Sequence, residues 1–218
     1  MKTKNNERIE WSRVWREEAN RDVSRVLLIG DSIIDGSKSF IGEELAPDYA
    51  ISAYITSKGV DNPYFLRELE LLCEQEEYGY RAVYFNNGLH PHGQSPETYK
   101  ENYKKIIAGI RKILPNTPIL LGLSTPWTQG DAKAAEGYDA PVTVDEGVRF
   151  DERNALVIAY NDKVLEIASE EGLPCFDAYT LMLANTQHKT PDGVHFYAPG
   201  YRVLSHEIAL AIKPLIQD

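Results

Sequence analysis

Five short apolar runs, rich in branched and aromatic residues, recur along this chain at 25–30, 49–55, 81–86, 118–124 and 173–177, with helix-like segments among them. Runs of that length and composition suit strands buried on both faces of a parallel sheet. Helical spacing is expected over 63–77, 96–114, 151–171 and 198–216. In the second of these, Tyr99, Tyr103, Ile106, Ile107, Ile110 and Leu114 recur at three- and four-residue steps with basic residues between them, and Pro96 suits a first helical turn. Strands alternating with helices require right-handed crossovers, which place helices on both sides of the sheet and collect functional groups at the carboxyl ends of its strands. Residues 125–150 interrupt the rhythm with Pro126, Gly130, Gly137, Pro141 and Gly147. An irregular stretch of that length is uncommon unless it has a function, and it is the expected specificity element or lid.

Length and charge narrow the rest. The 218 residues suit one domain, read as 25–218 with a helical extension over 1–24 carrying Trp11 and Trp15. A net charge of −10 disfavours nucleic acid and anionic membrane surfaces as partners, and no apolar run is long enough to span a bilayer. Cys73 and Cys175 are too few and too far apart for a disulfide scaffold or a metal knuckle. The N-terminal residues lack the apolar stretch of a secretory signal, so the expectation is a cytoplasmic protein, although a chain with its signal trimmed would look the same. Oligomeric state is left open.

The sharpest local signal is Gly30-Asp31-Ser32 directly after the first apolar run. A glycine there lets the chain turn and leaves a serine hydroxyl at the carboxyl edge of the sheet. A serine becomes a useful nucleophile only when a base within hydrogen-bond reach takes its proton. Asp192-Gly-Val-His195, ahead of the last helix, supplies a histidine and a carboxylate that could orient it. Taken alone, Ser32 is as well explained as a helix N-cap, and Asp192 and His195 as a solvated loop. Their joint placement favours chemistry. His90 and His92 could begin a metal site, but no third ligand stands at a suitable spacing, so neither a metal nor another cofactor is expected. The Gly-x-Ser-x-Gly elbow is absent, because Ile33, Ile34 and Asp35 follow the serine.

From about residue 25 to 216 the chain resembles the SGNH, or GDSL-type, hydrolases. Gly30-Asp31-Ser32-Ile33 is similar to their first block and Asp192-Gly193-Val194-His195 to their last. The resemblance implies a flavodoxin-like α/β/α sandwich around a five-stranded parallel sheet, with Ser32, His195 and Asp192 as the triad. It also implies an oxyanion hole that includes the N–H of Gly59, from Ser57-Lys58-Gly59 after the second strand. The third block of the family reads Gly-x-Asn-Asp, whereas this chain reads Asn86-Asn87-Gly88-Leu89-His90. Aligning the glycines puts His90 where the donor asparagine belongs, and an imidazole N–H could serve there. Asn87 is the alternative donor, and a hole lacking either would imply weak or lost activity.

Motifs and resemblance together imply an esterase removing a short acyl group, most simply acetyl, from a carbohydrate or related small ester. Aromatic residues Tyr54, Trp127 and Tyr197 are the candidate sugar contacts, with core packing as the competing explanation. A lysophospholipase or thioesterase, or a non-catalytic carbohydrate-binding relative with a degenerate oxyanion hole, are the alternatives.

Overall fold

A computed structural model describes residues 9–75, 79–90, 93–130 and 149–216. In chain order its elements are β1 (Ser12–Arg16), β2 (Ser24–Gly30), α1 (Ser32–Leu45), β3 (Tyr49–Thr56), α2 (Phe65–Cys73), β4 (Tyr80–Phe85) and α3 (Pro96–Ile113). They continue with β5 (Ile119–Gly122), α4 (Asn154–Glu171), β6 (Cys175–Phe176), α5 (Ala178–Leu183) and α6 (Ala198–Ile216). The sheet order is β1-β3-β2-β4-β5-β6, with every neighbouring pair parallel except β1 and β3.

The four apolar side chains of the central strand are divided between the two faces of the sheet. Val26 and Leu28 of β2 join the cluster formed with α1 and α6, while Leu27 and Ile29 join the cluster formed with α2, α3 and α4. All four are fully buried, which is why the run carries no polar alternation. The chain leaves β2 for β3 on one side and later returns to β4 on the other. The carboxyl end of β2 is therefore the switch point of the sheet, where a crevice opens between diverging connections. Ser32 begins the helix that follows it.

The N-terminal segment differs from expectation. Residues 12–16 form a strand, paired from Ser12 with Thr56 through Arg16 with Ser52, so the described part of the extension, residues 9–24, holds no helix, and among the described residues the sheet has six strands with one antiparallel edge. The four-residue spacing of Trp11 and Trp15 suits a helix, but the outer edge of β3 offers a row of unpaired backbone groups that a short extended segment satisfies. Helix α1 was also not evident in the sequence. Gly36, Gly42, Ser37 and Ser39 weaken its propensity, and burial of Ile33, Ile34, Ile41 and Leu45 holds it in place. Among the described residues, no helix is long and apolar enough to cross a membrane.

Candidate active site

Asp31 rather than Ser32 caps α1: its Oδ1 accepts the N–H of Ile33 at 2.9 Å. That frees the Ser32 hydroxyl, which lies 2.7 Å from His195 Nε2. The other ring nitrogen, Nδ1, is 2.6 Å from Asp192 Oδ2. Asp192 Oδ1 meanwhile accepts the N–H groups of Val194 and His195 and the hydroxyl of Thr190, at 2.8, 2.9 and 2.8 Å. Burial alone would raise the Asp192 carboxyl, but these donors, led by the His195 ring, outweigh it and hold the group well below the usual carboxylate range. A permanently ionised carboxylate fixes the tautomer that leaves Nε2 free to accept a proton from Ser32.

The loop bearing Asp192 and His195 is tied to the chain after β5. Gly193 has φ of +75°, and a side chain on it would strike the Thr128 carbonyl. Thr128 N–H donates to the Gly193 carbonyl at 3.0 Å. Beneath this contact lies Lys189, 5% exposed, its ammonium donating to the carbonyls of Pro126 and Val194 at 2.6 and 2.7 Å. It stands 4.0 Å from the centre of the Phe196 ring. Burial pushes the Lys189 pKa down to about 7, opposed in part by the charge of Asp192. An unfolded lysine keeps its proton to about pH 10.4, so between about 7 and 10 the folded chain binds one proton fewer. Its burial cost is therefore complete below about pH 7 and is relieved as the pH rises, by up to about 1.4 kcal/mol per unit. Urea unfolding at pH 7, 8 and 9 should show a stability slope in the native chain that is flatter in Lys189→Met. Equal slopes would mean that Lys189 does not titrate in this range.

At the same edge of the sheet lie the loops after β3 and β4, the strands that flank β2 in parallel. A Cβ added to Gly59 would lie 2.7 Å from the His90 carbonyl oxygen and 2.9 Å from Asp61 Oδ1, so the two loops meet where only glycine fits. His90 is half-buried, with Nε2 4.0 Å from Asp31 Oδ2, next to the serine in sequence. The structure thus brings His90 and Gly59 together next to Asp31. Asn87 is fully buried, and its side-chain amide donates instead to the Lys58 carbonyl at 2.9 Å. Its neighbour Asn86 joins the ends of β4 and β5 by donating to the Gly122 carbonyl at 2.7 Å.

The predicted sugar contacts fare differently. Tyr54 is a core residue: it is fully buried, edge-on to Phe65, and its hydroxyl donates to Glu68 Oε2 at 2.8 Å. Strand alternation turns it toward α2, which removes it from the candidate contacts. Tyr197 is half-buried and turns the chain into α6, its carbonyl accepting the N–H groups of Gly200 and Tyr201. Trp127 borders a cavity of about 210 Å³ with Gly88, Leu89, Leu156, Val157 and Tyr160. The Arg153 guanidinium lies 3.7 Å from the centre of its ring, itself paired with Asp151, so that face is closed to a sugar. Its Nε1 is buried without an acceptor among the described residues. His92 and most of the expected lid, residues 131–148, lie outside the described residues.

Sequence reasoning did not find Lys189, Arg153 or Asn154, whose Oδ1 accepts the backbone N–H of Trp127 at 2.8 Å. Charged and amide side chains default to solvent in such reasoning. The one clue was the seven-residue spacing of Asn154 and Asn161 on the inner face of α4, where Asn161 likewise holds the backbone of Ser124.

Comparison with known proteins identifies the family and the fold. The model of the GDSL-like lipase/acylhydrolase family matches residues 28–203. Among solved structures, the carbohydrate acetylesterase Est24 from Sinorhizobium meliloti superposes with a TM-score of 0.68 at 14% identity, over 88% of this chain and 99% of that one. The acetyl xylan esterase AlAXEase gives 0.63 at 16%, over 86% and 99%. The inhibitor-bound aryl esterase of M. smegmatis gives 0.68 at 13%, over 88% and 100%. No curated protein matches the chain. With the family model spanning most of its length, from β2 into α6, the chain belongs to the GDSL-like lipase/acylhydrolase family of ester hydrolases.

Proposed function

We propose that the chain is a serine esterase that removes a short acyl group, acetyl above all, from a carbohydrate or related small ester. The observation that carries this reading is the unbroken relay from Ser32 Oγ through His195 to Asp192, with separations of 2.7 and 2.6 Å. His195 Nε2 takes the hydroxyl proton as Ser32 Oγ bonds to the ester carbonyl carbon, and the carbonyl electron pair moves onto oxygen. The N–H groups of Ser32 and Gly59, with His90, hold that oxyanion. His195 then gives the proton to the departing alcohol, and a water deprotonated by the same nitrogen releases the acid and restores Ser32.

The short-acyl preference is supported by the cavity beside Trp127. Its roughly 210 Å³ falls below the ~300 Å³ at which ordinary ligand pockets begin. Its walls include Leu89, Leu156 and Val157, which suit an acyl methyl, together with Arg153, whose guanidinium is already paired with Asp151. The acetylesterase activities named for Est24 and AlAXEase support the same choice.

The test is a series of p-nitrophenyl acetate, butyrate and octanoate, with acetate release measured from acetylated xylo-oligosaccharides. kcat/KM should fall at least tenfold from acetate to octanoate, since a pocket without room for the added methylenes rejects them at roughly 1–3 kcal/mol each. A flat or rising series would overturn the short-acyl reading. Failure to release acetate from any acetylated sugar would overturn the carbohydrate reading.

A further inference from the structure

We propose that Asn87 is a positioning residue for the oxyanion hole: by holding the Lys58 carbonyl it sets the direction of the Gly59 N–H. The inference rests on the proposed esterase function, in which that N–H faces the oxyanion. The Lys58 carbonyl and the Gly59 N–H belong to one planar peptide unit, and the bond between them is trans, the one cis peptide among the described residues being Ala46-Pro47. In a trans peptide the two groups point in opposite directions. A donor that fixes the carbonyl therefore aims the N–H at the far side of the unit.

Backbone sterics cannot do this at Gly59. Rotating the 58–59 peptide changes ψ of Lys58 and φ of Gly59, and glycine accepts either sign of φ, so the unit before a glycine is free to turn over. No larger residue can remove that freedom, because a Cβ at position 59 would meet the His90 carbonyl at 2.7 Å. The site needs glycine for space, and so needs something else for direction. A turned-over peptide would present a carbonyl to the oxyanion in place of an N–H.

The groups around the unit are all engaged except the one that matters. Lys58 N–H donates to Thr56 Oγ1 at 3.1 Å, and the Gly59 carbonyl accepts the Asn62 N–H at 3.0 Å. The Lys58 ammonium is tied to Ser12 Oγ at 2.7 Å and to Glu68 at 3.2 Å. The Asn87 side-chain amide donates to the Lys58 carbonyl at 2.9 Å, and the Asn87 backbone carbonyl accepts the buried Tyr99 hydroxyl, also at 2.9 Å. The Gly59 N–H is left without an acceptor among the described residues. Asn87 keeps its amide here although Oδ1 is buried with no partner among the described residues. An unmet acceptor of that kind is costly in a buried position, so an apolar residue would suit packing better.

The experiment combines kinetics with NMR of the chain carrying 15N-glycine. 1,1,1-Trifluoroacetone is the probe: Ser32 Oγ bonds to its carbonyl carbon, the carbonyl pair becomes the oxyanion, and the serine proton passes to His195. In the native chain the Gly59 amide proton should move downfield in the adduct. In Asn87→Asp, nearly the same shape but with an acceptor facing the carbonyl, that movement should be lost. kcat for p-nitrophenyl acetate per folded molecule should drop about 10²-fold, as for removal of one oxyanion donor, with KM within about twofold. A purely structural role would lower the folded fraction and leave kcat per folded molecule intact, and that result would overturn the proposal. If Asn87 variants do not fold, the native chain decides: slow solvent exchange of one Asn87 side-chain amide proton supports the clamp, and fast exchange of both overturns it. An adduct at Ser32 with an unmoved Gly59 amide overturns this inference alone, whereas no adduct at all overturns the nucleophile assignment with it.

Discussion

Ser32→Ala is expected to lower kcat for p-nitrophenyl acetate by at least about 10⁴-fold, the scale seen when a serine nucleophile is removed from its relay. The substitution deletes the one hydroxyl placed 2.7 Å from His195 Nε2. It should leave the fold intact, because Asp31 provides the cap of α1 and alanine is the best helix former for the position vacated. Reaction with a fluorophosphonate should vanish in parallel. The comparison is made at matched folded concentration, and a variant that retains a tenth of native turnover would assign the chemistry to another group.

Loss of His90 comes next in size. His90→Ala should reduce kcat by about 10²–10³-fold with little change in KM, since an oxyanion donor acts mainly on the transition state. His90→Asn restores the amide that the family pattern carries at this position and should return most of the activity. The pair of variants separates a donor from a bystander: turnover unaltered by the alanine would place His90 outside the hole. Its neighbourhood supports the first outcome, since the imidazole stands 4.0 Å from Asp31 and its backbone carbonyl abuts Gly59.

The parts of this molecule visible in the sequence are those where one force dominates. Strands β2 to β5 were legible because burial on both faces favours runs of apolar residues, and α3 and α6 because a single apolar stripe sets their period. The relay was legible because its members sit at strand and helix ends that the topology must bring to one edge. Strand β1 was not, since an exposed edge segment follows no burial pattern and its pairing is decided by a partner 44 residues away. The direction of a peptide plane has no sequence signal of its own. Asn87 therefore read as a possible donor, when its amide is turned inward to the Lys58 carbonyl. Trp127 read as a sugar platform for a similar reason: the guanidinium that covers it comes from a helix start 26 residues on, at Arg153.

The hydrogen bond between Ser32 and His195 joins residues 163 positions apart in sequence. Its closure also depends on α6, which packs on α1 through the Ser205 hydroxyl and the Ser37 carbonyl, 168 positions apart. Contacts of such separation are expected to form late, because each carries a loop-closure cost that local contacts do not. Hydrolysis is thus a property that arrives with the final act of folding. A nascent or partly refolded chain holding most of its sheet and helices would still have an idle serine, so recovery of turnover clocks completion of the topology rather than growth of secondary structure.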